Sequence, residues 1–161
     1  MTKSLDWKAA IWAGVVAGIV FMMLEMLLVQ FLQPMSMWGP PRMIAAIAMG
    51  PNVLPPPDTF DFMVLMVAMI IHFVLSIAYA LILGWIVSRW DMGLGGASIV
   101  GLVFGLVIYV INFYGFTAVF PWFAEARGWI AIFSHAMFGL ALGLVYQPVE
   151  RHDAERTAHQ V

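Results

Sequence analysis

Four long apolar runs dominate the chain, near residues 9–33, 61–87, 96–119 and 128–147. A helix that crosses a bilayer needs about 20 apolar residues, so each run is long enough to span. Each run also carries one strongly polar residue on the same helical face as a stripe of small residues. The first reads Gly14-x-x-x-Gly18 and then Glu25, seven residues on. The second reads His72-x-x-x-Ser76-x-x-x-Ala80-x-x-x-Gly84. The third has Ala97, Gly101 and Gly105 at spacings of four, then Asn112 seven residues later. The fourth reads His135-x-x-x-Gly139-x-x-x-Gly143. Spacings of four and seven hold residues on one face of a helix. Small faces let membrane helices approach closely, and ionisable groups within a membrane turn away from lipid. The pattern therefore predicts an all-α, up-down-up-down bundle of four spans. Glu25, His72, Asn112 and His135 should point at its axis, at similar depth.

Punctuation between the runs fills in the rest. Pro34 ends the first span, and Trp38-Gly39-Pro40-Pro41-Arg42 opens a short apolar segment, Met43 to Met49, that Gly50-Pro51 closes. Proline at a helix start and glycine at its end suit a short helix. That helix should lie in the interface of the first outer loop. Pro55-Pro56-Pro57 reads as an extended connector, with Asp58 or Thr59 capping span two. The short, glycine-rich link from Ser88 to Gly96 joins spans two and three as an antiparallel hairpin. Spans one and three share one spacing pattern, and spans two and four share another. A duplicated hairpin with an axis along the membrane normal follows. Residues 1–147 form one membrane domain, and 148–161 a polar tail.

Composition narrows the class. Of 161 residues, 63% are hydrophobic and 10% charged, and the mean hydropathy is +0.95. Soluble domains carry about 25% charged residues. The net charge of −2 provides no basic field for nucleic acid. The absence of cysteine excludes disulfides and thiolate chemistry. Lys3, Lys8, Arg89, Arg151 and Arg156 fall on one side of the predicted topology, and Arg42 and Arg127 on the other. By the positive-inside rule both termini are cytoplasmic. The first run is much longer than a signal-peptide core, so it reads as a retained span.

Three uses of the polar layer are open. It can be interhelical glue, with a Glu25–His hydrogen bond tying helices together. Glu25, His72 and His135 are an acceptable ligand set for zinc or iron. His72 and His135, at matched depth on diagonal helices, can be axial ligands of a b-type haem. No cofactor at all is the leading expectation. Nothing resembles a nucleophile–base triad or a phosphate-binding glycine loop, so the reading is non-enzymatic.

Pro40-Pro41-Arg42-Met43-Ile44-Ala45-Ala46-Ile47, Leu54-Pro55-Pro56, Ile71-His72-Phe73 and Trp122-Phe123-Ala124-Glu125-Ala126-Arg127 resemble segments of a group of small bacterial four-span membrane proteins without assigned function. Some members carry a sodium:proline symporter label. Symporters of that kind use many more spans with broken helices, so transport here implies a homo-oligomer or a membrane partner. The resemblance implies the bacterial inner membrane and assigns no catalytic residue.

Overall fold

The structure, a computed structural model, describes residues 4–158. Lys3 lies outside the described residues, as does the side chain of Arg156. The helices are α1 (Trp7–Leu32), α2 (Gly39–Met49), α3 (Phe62–Arg89), α4 (Leu94–Val110) and α5 (Trp129–Ala158), with no strand among the described residues. Four helical segments are long and apolar enough to cross a membrane: α1, α3, Leu94–Ala118, and α5 as far as His152. The protein is a four-helix bundle of the multi-pass membrane class. Its outward surface is apolar, with Phe31, Ile70, Val74 and Ile99 all mostly exposed.

Local chemistry sets the helix starts. The Asp6 carboxylate caps α1 by accepting from the amides of Lys8 and Ala9, both at 3.0 Å. Asp61, rather than Asp58 or Thr59, caps α3 through the Val64 amide at 3.0 Å. Asp58 is engaged elsewhere, accepting from the Ser36 amide at 2.8 Å. Residues 54–57 form a run of bends in place of the expected extended connector.

The small stripes decide which helices meet. α1 packs on α3, and α4 packs on α5, each pair through its stripes. A Cβ on Gly14 would sit 2.9 Å from the Ile77 Cα, and one on Gly18 would sit 2.9 Å from the Ser76 Oγ. Ser76 and Ala80 are themselves buried in this seam, and the Ser76 hydroxyl donates to the Gly14 carbonyl at 2.6 Å. Between α4 and α5 the approach is closer still. A Cβ on Gly101, Gly105, Gly139 or Gly143 would collide with a carbonyl oxygen of the facing helix. Gly84 lies against the Tyr146 ring, so it joins α3 to α5.

The two pairs repeat one register. Gly18 faces Ser76, four residues after His72, while Gly105 faces Gly139, four residues after His135. The copies are not joined symmetrically. α1 packs extensively on α5, but the equivalent pair, α3 and α4, barely touches. The short link sets their direction, but their close faces are turned to α1 and α5.

The third span runs from Leu94 to Ala118, close to its expected bounds, with α4 to Val110 followed by a π turn, Ile111–Gly115, and a 3-10 turn, Phe116–Ala118. α5 does not stop at residue 147 but runs on through Pro148. Pro148 is exposed, so the amide it lacks leaves a gap in the backbone ladder at the surface.

Candidate functional site: a half-open cavity beside a polar layer

The unequal joining of the two halves leaves space between α3 and α4. A cavity of about 260 Å³ occupies it, lined by Glu25, His72, Asn112 and His135 together. The structure thus brings all four polar-layer residues to one place, at the end of the bundle away from the described chain ends. Leu75 and Phe116 are lining residues that are also exposed, so the cavity opens along the α3–α4 side. Pro40, Met43, Ile44 and Ile47 of α2 cover it.

The cover is fixed by hydrogen bonds. Buried Arg42 donates from Nε to the Thr59 carbonyl at 3.0 Å and from Nη1 to the Val53 carbonyl at 3.1 Å. The Trp122 indole donates to the Met43 carbonyl at 3.0 Å, fastening the aromatic loop to α2. Arg127 donates to the Phe113 carbonyl at 2.7 Å and lies over the Tyr114 ring. Both arginines clamp the loops that roof the cavity.

The hydrogen bonds of the polar layer have definite directions. A carbonyl accepts only, so His135 Nδ1 donates to the Ala131 carbonyl at 2.8 Å. Its Nε2 is then an acceptor and receives the Asn112 amide at 3.2 Å. Asn112 Oδ1 accepts in turn from the Tyr79 hydroxyl at 3.0 Å. This chain, Tyr79 to Asn112 to His135, is the polar bridge across the open side. His72 belongs to a different arrangement, because its Nε2 donates to the Gly18 carbonyl at 2.9 Å across the α1–α3 seam.

Glu25 stands apart. Its exposure is 9%, and its Oε2 is fully buried without a hydrogen-bond partner. The Ser134 hydroxyl lies beside Glu25 and, with Glu25 Oε2, is a buried side-chain atom left without a hydrogen-bond partner among the described residues. The Glu25–His hydrogen bond expected of a purely structural layer is therefore not made. Positions 25 and 72 of the first half correspond to 112 and 135 of the second. The second pair is bonded and the first is not.

The residues do not fit the cofactors considered. Phe21 lies between the two histidines, stacked on His72 with centroids 5.5 Å apart and edge-on to His135 at 4.8 Å. Its ring fills the space a porphyrin would need, and both Nε2 atoms are committed to protein partners. No group of three His, Cys, Asp or Glu among the described residues could hold a metal ion, so Glu25, His72 and His135 do not form the expected ligand set.

A second polar cluster, not anticipated from sequence, closes the opposite end. The Ser88 hydroxyl donates to Glu150 Oε1 at 2.6 Å and contacts the Tyr146 hydroxyl at 2.6 Å. The Tyr146 hydroxyl accepts from the Asp6 amide at 3.2 Å. Ser88, Tyr146, Gln147 and Glu150 are all buried. The sequence signal was available: Gln147 and Glu150 continue the four- and seven-residue spacings from Gly143.

Comparison with protein-family models, curated proteins and solved structures finds no match for the chain.

Proposed function

We propose that this is a non-enzymatic protein of the bacterial inner membrane that binds a small, mostly apolar molecule between its helices. The observation that carries the reading is the roofed cavity of about 260 Å³, walled by apolar side chains around a few convergent polar groups. That combination is the ordinary form of a small-molecule site, and its volume is below the roughly 300–1,000 Å³ of drug-sized pockets. The opening faces the direction in which lipid would lie, so an apolar guest could enter without crossing the roof. The resemblance to bacterial four-span proteins supports the membrane assignment. Transport within an oligomer is the second reading, favoured by the lateral opening.

The test uses purified protein in lipid nanodiscs, with empty nanodiscs subtracted. Benzyl alcohol, a small neutral aromatic, should bind saturably. Ala126→Trp, which adds bulk to the cavity wall, should weaken that binding at least tenfold. Ile99→Trp, on the mostly exposed outer face of α4, should leave it within twofold. Equal binding by both variants and the unaltered protein would place the guest elsewhere and remove the proposal.

A further inference from the structure

Building on the binding reading above, we infer that the guest carries a cationic, hydrogen-donating head: a small aromatic or alkyl ammonium held by Glu25. Three observations converge on this. The first is an account of donors and acceptors around the cavity. Asn112, His135 and the Tyr79 hydroxyl proton are committed to one another, and His72 Nε2–H is committed to Gly18. What remains is mostly acceptors: the Glu25 carboxylate and the second nitrogen of His72. A carboxylate has about four acceptor positions, and rotation of the Ser134 hydroxyl would fill one of them. The donors left over are few, the second Asn112 amide hydrogen and the Ser134 hydroxyl, so acceptors outnumber them and a donor on the guest would be matched.

The second observation is charge. An ionised carboxylate at membrane depth needs a counter-charge or a proton. The basic side chains at this end of the bundle do not provide the counter-charge. Arg42 and Arg127 direct their described bonds to backbone carbonyls and the Thr117 hydroxyl. The internal repeat sharpens the point. The second half satisfies its polar pair from within, Asn112 with His135, whereas the first half leaves a carboxylate oxygen of Glu25, a residue lining the cavity, without a hydrogen-bond partner.

The third observation is the wall. Phe21, Phe113, Phe116, Phe120, Phe123 and Phe138 line the same cavity. Aromatic faces attract cations and also accommodate an apolar body. A carboxylate at one point of an aromatic cage matches an amine with a short hydrocarbon part. An anionic guest would meet an unscreened like charge.

The experiment compares benzylammonium, benzyl alcohol and benzoate by titration calorimetry. The protein is held in phosphatidylcholine nanodiscs, with empty nanodiscs subtracted. The ammonium should bind at least tenfold more tightly than the alcohol, and benzoate should bind most weakly. Glu25→Gln should erase the ammonium's advantage while keeping the alcohol within twofold, and Glu25→Asp should retain most of it. If Glu25→Gln does not fold, the ranking by the unaltered protein and by Glu25→Asp decides. Equal affinity for ammonium and alcohol, or benzoate binding as well as the ammonium, overturns the cationic head and leaves the binding site standing. Binding of none of the three overturns both.

Discussion

At the scale of single residues, the polar layer divides into a satisfied part and an unsatisfied part. Asn112 is the hinge of the satisfied part, because it donates to His135 and accepts from Tyr79. Asn112→Leu would strand both partners beside the cavity. Leaving a buried polar group unpaired costs about 1–3 kcal/mol, and a hydrogen bond between membrane helices contributes about 0.6–2 kcal/mol. The variant should therefore melt several degrees lower in detergent, as read by helical circular dichroism. No change in melting would show that the chain from Tyr79 to His135 contributes nothing to the fold. The types and faces of these residues were legible in the sequence, since a polar residue at helical spacing from a small stripe must face inward. Their pairing was not. Whether Glu25 meets a histidine or stands alone depends on where Phe21 and Gly18 sit, and spacing along one helix carries no such information.

At the scale of elements, the same small stripes have unequal consequences. Gly139 lies against the Gly101 carbonyl and the Gly105 backbone, while Gly115 has nothing near the position of a Cβ. Gly139→Ala would force α4 and α5 apart along their closest seam. Overpacking of this kind costs about 1–3 kcal/mol, and more where backbone rather than a flexible side chain must move. Gly139→Ala should lose folded protein in a detergent stability assay, and Gly115→Ala should match the unaltered chain. Equal tolerance of the two would mean that the α4–α5 seam is not tightly packed. The stripes were readable because spacing by four keeps small residues on one face. Their partners were not, because a stripe does not state which helix it meets. The π turn at Asn112 and the passage of α5 through Pro148 were also hidden. Pro148 stands at the start of the expected polar tail. In the bundle it is an exposed position in a helix held by buried Tyr146, Gln147 and Glu150.

At the scale of the whole molecule, function and topology are linked through the direction of the bundle. The cavity and its roof lie at the end bearing Arg42 and Arg127, while Lys8, Arg89 and Arg151 lie at the end bearing the described chain ends. The arginines at the roof clamp loops, which gives them a structural reason to be there despite the positive-inside bias. We propose that both termini are cytoplasmic and that the cavity lies toward the periplasm. The natural absence of cysteine makes this directly measurable. Glu125→Cys and Ala154→Cys place single thiols at exposed positions on opposite ends of the bundle. In intact cells a membrane-impermeant maleimide should label position 125 and spare position 154, and permeabilised cells should label both. The reverse pattern would turn the molecule over. The opening beside Glu25 would then lie nearer the cytoplasm, and the guest would be drawn from that leaflet.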